Sequence, residues 1–88
     1  MFSRQAYTIQ ITHQAKKDIH KLTPRLKEKI KDVLQEVVAL NPYEGKKLLG
    51  DLRGSYSYRL SYNDRIIYRI DEKMKIVYIQ RARTHYGD

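Results

Sequence analysis

Three segments in the second half of the chain are rich in Tyr, Ile and Val, and the first two alternate apolar and polar residues with a period of two. They run over 56–62, 65–70 and 75–81, and the polar stretches between them, 63–64 and 71–74, are short enough for hairpin turns. We therefore predict an antiparallel meander of strands. The first half of the chain must supply the elements that cover its apolar face.

The first half of the chain has mainly helical spacing. A period-two segment at 7–12 predicts an opening strand, and apolar residues on one helical face predict a short helix over 14–22. Thr23 and Pro24 form a helix start signal, with Thr as the N-cap and Pro at the first helical position. The spacing that follows predicts a second helix that ends before Asn41. No period is present between this helix and the meander, which predicts a loop.

The order of these elements predicts an α+β domain over residues 1–88: an N-terminal strand, two helices and a three-stranded antiparallel meander. The strands are expected to form one twisted sheet with both helices on one face. A chain of this length buries roughly 60 to 65% of its unfolded surface, which allows a single core. The other face of the sheet would be open to a ligand.

Composition excludes several kinds of site. The chain has no cysteine, and its three histidines, His13, His20 and His85, are too far apart in sequence to form a ligand motif. We therefore expect no metal and no cofactor. The N-terminus lacks an apolar signal-peptide stretch, and no window approaches the ~20 apolar residues that span a bilayer. We expect a cytoplasmic protein with no membrane partner.

The net charge of +8 indicates a polyanion or an acidic protein as the partner. Solvated lysines with no ligand are a third interpretation. The predicted helices carry a basic surface that could bind ribosomal RNA without reading its sequence, or could serve only solubility. Its lysines are Lys16, Lys17, Lys21, Lys27, Lys29 and Lys31.

Arginines lie on the polar face of the predicted sheet. Because alternate side chains of a strand point to opposite faces, Arg59 faces away from Tyr58 and Tyr62. On the next strand Arg65 shares a face with Ile67 and Arg69, and the opposite face carries Ile66, Tyr68 and Ile70. Acidic residues are confined to the turns, which predicts a cationic sheet face. The third strand is apolar on both sides, so alternation does not assign Arg81 to a face.

Guanidinium, imidazole and phenol groups meet at the end of the last predicted strand, in Arg81-Ala-Arg83-Thr-His85-Tyr86. Side chains of these types can cleave RNA without a metal. When the 2′-hydroxyl attacks its own phosphate, the transition state gains negative charge, so cations are needed around the phosphate. The attacking and leaving oxygens also need proton carriers, and an imidazole titrating near pH ~6.5 is suited to this.

Four motifs in the second half of the chain form a recognisable combination. They are Pro42-Tyr-Glu-Gly45, Leu52-Arg-Gly54-Ser-Tyr-Ser57-Tyr-Arg59, Asp64-Arg65-Ile-Ile-Tyr68 and Arg83-Thr-His85-Tyr86. They resemble the RelE/ParE superfamily of type II toxins, and most closely its YoeB/Txe branch. The resemblance implies the RelE-like microbial RNase fold and a ribosome-dependent mRNA endoribonuclease that needs no metal. It also implies two partners, the ribosome with mRNA in its A site and a cognate acidic antitoxin, and assemblies that are homodimers or toxin–antitoxin hetero-oligomers.

The resemblance further implies residue roles. His85 and Tyr86 match the terminal catalytic pair of the family. Arg59 and Arg65 match its phosphate-contacting arginines, and Arg83 matches the arginine just ahead of the terminal pair. The candidate active site is therefore divided between two strands and the tail.

The general base is left open by the sequence. The YoeB branch has an acidic residue in the loop before the Gly-rich connector, and the shorter loop here has no certain match. Glu44 is a candidate catalytic carboxylate although it belongs to the Pro-Tyr-Glu-Gly motif, and Asp51 is the other carboxylate nearby. Lys46, Lys47 and Arg81 are candidate RNA-binding residues, together with the arginine of the tail. Two further residues extend past the terminal tyrosine and move the free carboxylate away from it.

Two other functions remain open. A ParE-like DNA gyrase inhibitor would share the fold without chemistry, and a non-catalytic RNA- or protein-binding module would act by occupancy. The gyrase inhibitor has no need for a His-Tyr terminus or for arginines converging on one face. Tyr58, Tyr68 and Tyr78 are predicted to lie in the core or at its rim, because Tyr favours half-buried strand positions.

Overall fold

The computed structural model describes residues 6–83. Within this part of the chain, five strands and two α-helices are joined by a π-helical turn and two 3₁₀ turns. The elements are β1 (Thr8–Ile11), α1 (His13–His20), α2 (Pro24–Val33), the π-helical turn Leu34–Val38, the 3₁₀ turn Pro42–Glu44, β2 (Lys46–Lys47), the 3₁₀ turn Gly50–Leu52, β3 (Ser55–Arg59), β4 (Arg65–Asp71) and β5 (Ile76–Arg83).

Both helices begin at a threonine cap. Thr12 Oγ1 accepts the N–H of Ala15 at 3.2 Å, and Thr23 Oγ1 accepts the N–H of Leu26 at 3.2 Å, so each cap satisfies one of the donors that a helix start leaves unpaired. Pro24 occupies the first turn of α2, as predicted. Among residues 6–83, no helix has the length and apolar composition needed to cross a membrane.

The strands form one mixed sheet in the order β1-β5-β4-β3-β2. β1 runs parallel to β5, and the other neighbours are antiparallel. This arrangement confirms the predicted α+β class with one sheet. The sheet has one strand more than predicted, because Lys46 and Lys47 lie in the expected loop but pair with Ser57 and Tyr56 of β3.

The helices cover one face of the sheet and enclose the core. Pairing of Tyr56 with Tyr68, and of Tyr68 with Ile79, places these side chains on the helix-covered face, as the alternation on β3 and β4 predicts. Tyr58 is also on this face, at the rim of the core. The buried residues of the core are Ala15, Ile30, Val33, Leu34, Val38, Leu60, Ile66, Tyr68, Val77, Ile79 and Ala82.

The first meander strand is shorter than predicted. β3 ends at Arg59, and the N–H groups of Leu60 and Ser61 both donate to the carbonyl of Asp64, which closes a wider loop than the predicted two-residue turn. The expectation that Tyr62 shares the apolar face was wrong, since this residue is 86% exposed. Hydrogen bonding within the loop therefore overrides the alternation of its sequence.

The last strand is longer than predicted and contains a β-bulge. β5 continues to Arg83 instead of ending at Arg81. Tyr68 pairs with Ile79 while Ile67 pairs with Arg81, which leaves Gln80 as an extra residue between the two pairs. The bulge resets the alternation of side chains, so a count along the sequence could not assign Arg81 to a face.

Candidate active site

Three arginines lie in a row across three neighbouring strands. Arg59 pairs directly with Arg65, and Arg65 pairs directly with Arg83. Directly paired residues project from the same side of a sheet, so all three side chains leave the face opposite the helices. Each of them is exposed. We call these residues, Arg59, Arg65 and Arg83, the arginine row.

The arginine row has no carboxylate partner among residues 6–83. The ion pairs in this part of the chain join Lys75 to Glu72 and Arg81 to Asp18. Like charges placed directly opposite each other in a sheet repel, by roughly 0.2–1 kcal/mol for each pair. The row therefore has the electrostatics of an anion-binding surface.

A cleft of about 480 Å³ opens beside two members of the row. Its walls come from the loop after the helices, from the edge strand β2 and from β3 and β4. The lining residues are Glu44, Gly45, Lys46, Ser57, Tyr58, Arg59 and Arg65. One carboxylate, one ammonium and two guanidiniums thus border the same space.

The loop that carries Glu44 is held against the sheet by a buried tyrosine. Tyr68 Oη donates to the carbonyl of Pro42 at 2.6 Å. Burial raises the pKa of Tyr68 to about 12, so its phenol stays a proton donor. Gly45 packs so closely that a Cβ there would be 2.2 Å from Tyr68 Oη and 2.7 Å from the carbonyl oxygen of Ser57. The absence of a side chain at Gly45 lets the loop bring Glu44 to the cleft.

A second contact, between Tyr43 of this loop and Glu72 just after β4, holds the loop in place. The Glu72 carboxylate accepts hydrogen bonds from Tyr7 Oη and Tyr43 Oη, each at 2.7 Å, and also binds Lys75. The bonds from Lys75, Tyr43 and Tyr7 lower the pKa of Glu72 to about 2. The bond to Glu72 raises the pKa of Tyr43 to about 12. Tyr43 is therefore a structural donor at neutral pH.

Arg81 is on the same strand as Arg83 but is paired with a helix residue. Its Nε donates to Asp18 at 2.8 Å, and the same carboxylate accepts the N–H of Ala82 at 3.0 Å. Burial alone would raise the pKa of Asp18, but the hydrogen bonds from Arg81 and Ala82 outweigh it and lower the pKa overall. The charge of Arg81 is consequently compensated within the protein.

The two lysines predicted to bind RNA, Lys46 and Lys47, project from opposite faces of the sheet. Lys46 pairs with Ser57 and is on the face of the arginine row, where it lines the cleft. Lys47 pairs with Tyr56 and projects from the helix-covered side. Alternation along a two-residue strand thus brings one lysine to the cleft.

The other predicted residues have different outcomes. Glu44 lines the cleft, whereas Asp51 lies in the 3₁₀ turn Gly50–Leu52 and does not. His85 and Tyr86 lie outside the described residues. The sequence did not single out Ser57 as a site residue, although its alternation with Arg59 already placed it on the cationic face.

Comparison with known proteins identifies relatives along most of the chain. Residues 9–86 match the family model of the ParE-like toxin of type II bacterial toxin-antitoxin systems. Toxin RelG from Mycobacterium tuberculosis is 34% identical over 83 residues, which cover 93% of both chains.

Solved structures share the fold. The RelBE2 toxin-antitoxin complex from Mycobacterium tuberculosis matches with a TM-score of 0.84 and 32% identity, covering 91% of this chain and 99% of that one. The YoeB-YefM complex from Staphylococcus aureus matches with a TM-score of 0.72 and 25% identity, covering 91% of this chain and 98% of that one. These matches confirm the resemblance to the RelE/ParE superfamily. The chain therefore belongs to the ParE-like toxin family of type II bacterial toxin-antitoxin systems.

Proposed function

We propose that this toxin is a ribosome-dependent endoribonuclease that cleaves mRNA in the A site by attack of the 2′-hydroxyl on its own phosphate, without a metal. The observation that carries the proposal is the arginine row, whose charges have no carboxylate partner within residues 6–83, beside a cleft that also receives Glu44 and Lys46. An exposed cationic row of this kind fits a phosphodiester. The 2′-hydroxyl requirement makes RNA the substrate and DNA inert.

The arginine row supplies the electrostatic part of the proposed chemistry. The transition state carries more negative charge than the bound RNA, so cations fixed around the phosphate stabilise it preferentially. Guanidiniums bind phosphate oxygens through charge-assisted and often bidentate hydrogen bonds. Arg59, Arg65 and Arg83 project from paired strands, which orient a site better than loops do. In this proposal Lys46 adds a fourth phosphate contact.

The proton transfers are assigned to the tail and to the cleft. His85 would give a proton to the leaving 5′-oxygen, and Tyr86 would stack on a base, as the family resemblance implies. Glu44 is the proposed acceptor of the 2′-proton. Its position in the cleft beside Arg59 supports it over Asp51 as the general base.

The proposed partners follow from charge and from the relatives. The matched RelBE2 and YoeB-YefM structures are toxin-antitoxin complexes. We propose a cognate antitoxin with an acidic segment, because a chain of net charge +8 attracts one, and toxin–antitoxin hetero-oligomers or a homodimer as the assemblies. The lysine-rich helix surface would contact ribosomal RNA, and the site of action would be the cytoplasm.

The test is message cleavage in a translation extract, with cut sites mapped by primer extension. The wild-type chain is expected to cut a defined message only while it is translated. His85→Ala and Arg65→Ala should lose most of this cleavage, whereas Lys73→Ala, which removes an exposed cation from the β4–β5 turn, should keep it. Undiminished cleavage by both site variants would refute the site assignment.

Gyrase inhibition is the second candidate function, because the matching family model is named for ParE. It predicts an intact message and arrested DNA supercoiling in the presence of purified gyrase. The endoribonuclease predicts the reverse pattern. Running both assays on one preparation therefore separates the two functions.

A further inference from the structure

The bulge at Gln80 decides whether Arg83 reaches the arginine row. If the pairing of Tyr68 with Ile79 continued without an extra residue, Arg65 would face Ala82. Arg83 would then project from the helix-covered side, because successive side chains alternate between faces. With the bulge, Arg83 faces Arg65 and Ala82 enters the core. A single extra residue thus sets the composition of the row.

The segment that contains the bulge has a free outer edge. β1 pairs with β5 only as far as Ile11 opposite Ile79, so residues 80–83 have no neighbouring strand on that side. Free strand edges are stabilised in proteins when another element covers them. Here α1 takes that place, with Asp18 facing the strand.

Several bonds converge on the bulge. Asp18 accepts the N–H of Ala82 at 3.0 Å and Nε of Arg81 at 2.8 Å. Thr12 Oγ1 donates to the carbonyl of Gln80 at 3.3 Å. Ser55 Oγ of β3 donates to Gln80 Oε1 at 2.9 Å. Gln80, Arg81 and Ala82, which we call the bulge segment, are therefore each bound by a side chain from outside β5.

Among the residues that bind this segment, Asp18 is the one that is charged and largely buried. Its side chain is 10% exposed, while that of Arg81 is 40% exposed. A carboxylate is rarely covered to this extent unless it is paired and hydrogen-bonded. Asp18 meets both conditions, and both of its partners at β5 belong to the bulge segment.

We propose that Asp18 is a positioning residue that locks the bulge of β5 and so places Arg83 opposite Arg65. Arg81 then serves as the partner of Asp18 and does not contact RNA. The consequence for cleavage rests on the proposed function, whereas the consequence for strand register does not.

Strand register can be measured directly by NMR on the purified full chain. The N–H of Ala82 points to Asp18 and hence away from β4, so Ala82 and Ile66 form a narrow, non-hydrogen-bonded pair. The Hα atoms of such a pair are close enough for a strong nuclear Overhauser effect. This effect should be present in the wild type and in the control Glu28→Gln. It should be lost in Asp18→Ala, with the contacts between Tyr68 and Ile79 retained.

The cleavage assay shows whether Asp18 acts through Arg83. Asp18→Ala and Arg83→Ala should each lower the cleavage rate by about 10²-fold, the loss expected when a catalytic group is misplaced by an ångström. The double variant should lose no more than either single variant, because the second change removes a group already out of place. A general loss of stability would instead add to the effect of Arg83→Ala. Asp18→Asn should fall between wild type and Asp18→Ala, since its amide oxygen can still accept from Ala82.

Each outcome bears on one proposal. Persistence of the Ile66–Ala82 effect in Asp18→Ala overturns the positioning role, whatever the cleavage rate. Additive losses in the double variant also overturn it. Loss of the effect in a chain whose wild type cuts no message supports the positioning role and refutes the proposed function.

Discussion

Replacing Arg65 with Ala should have opposite effects on activity and stability. Arg65 is the central member of the arginine row and lines the cleft, so under the proposed function its guanidinium would contact a phosphate bound across the row. Loss of one preorganised donor to a transition-state oxyanion costs about 10²–10³-fold in rate, or roughly 2.7–4 kcal/mol. We expect a fall of that size in the single-turnover rate of message cleavage. Arg65→Lys should recover only part of the lost rate, because lysine restores the positive charge but not the bidentate hydrogen bonding of the guanidinium.

The free energy of unfolding should change in the other direction. Arg65 has a like-charged neighbour on each side, Arg59 and Arg83, and each directly opposed pair costs roughly 0.2–1 kcal/mol. Removing both repulsions stabilises the variant by about 0.4–2 kcal/mol, less any loss of packing by the arginine stem. In a domain of this size, about 1 kcal/mol moves the Tm by ~4–8 °C.

Thermal unfolding in low and high salt is the assay for this prediction. The gain in Tm of Arg65→Ala should be present at low ionic strength and should shrink near 1 M salt, where the Debye length is about 3 Å. Arg65→Lys keeps the charge and should show no gain. Lys73→Ala removes a cation that has no directly opposed arginine and serves as the control. If Arg65→Ala is no more stable than the wild type at low salt, the three arginines do not repel one another as the register requires.

Two further predictions concern the loop that borders the cleft. Tyr68→Phe leaves the buried carbonyl of Pro42 without its donor and should lower the free energy of unfolding by about 1–3 kcal/mol in urea titrations, whereas Tyr62→Phe should be neutral. The pKa of Glu72 is lowered to about 2, so its stabilising contribution is present above its unfolded pKa of ~4.5 and is lost as pH falls toward 2. Glu72→Gln should therefore flatten the decline in urea midpoint between these pH values, and Glu28→Gln should leave the decline unchanged.

The part of the candidate site that lies on β3 and β4 could be predicted from the sequence. Arg59 and Arg65 alternate with apolar residues, and the loop between their strands is short, so alternation alone brought both side chains to one face. β2 could not be predicted in this way. It is a two-residue strand of lysines, and it pairs with β3 in a loop that Tyr68 and Gly45 hold against the sheet. Such contacts between distant segments leave no periodic signal.

The side of the sheet on which Arg83 lies could not be predicted from the sequence, for a different reason. Arg59 and Arg65 need only a hairpin to meet, whereas Arg83 reaches them through a bulge that is bound by Asp18, 63 positions before Arg81. Two of the three core residues of β5, Val77 and Ile79, lie before the bulge, so their contacts form whichever face Arg83 takes. Burial of Ala82 and the bonds of Asp18 are what favour the bulged register over the regular one. The fold and the completeness of the arginine row therefore depend on different residues, and a change at Asp18 should remove one cation from the row while leaving the rest of the sheet in place.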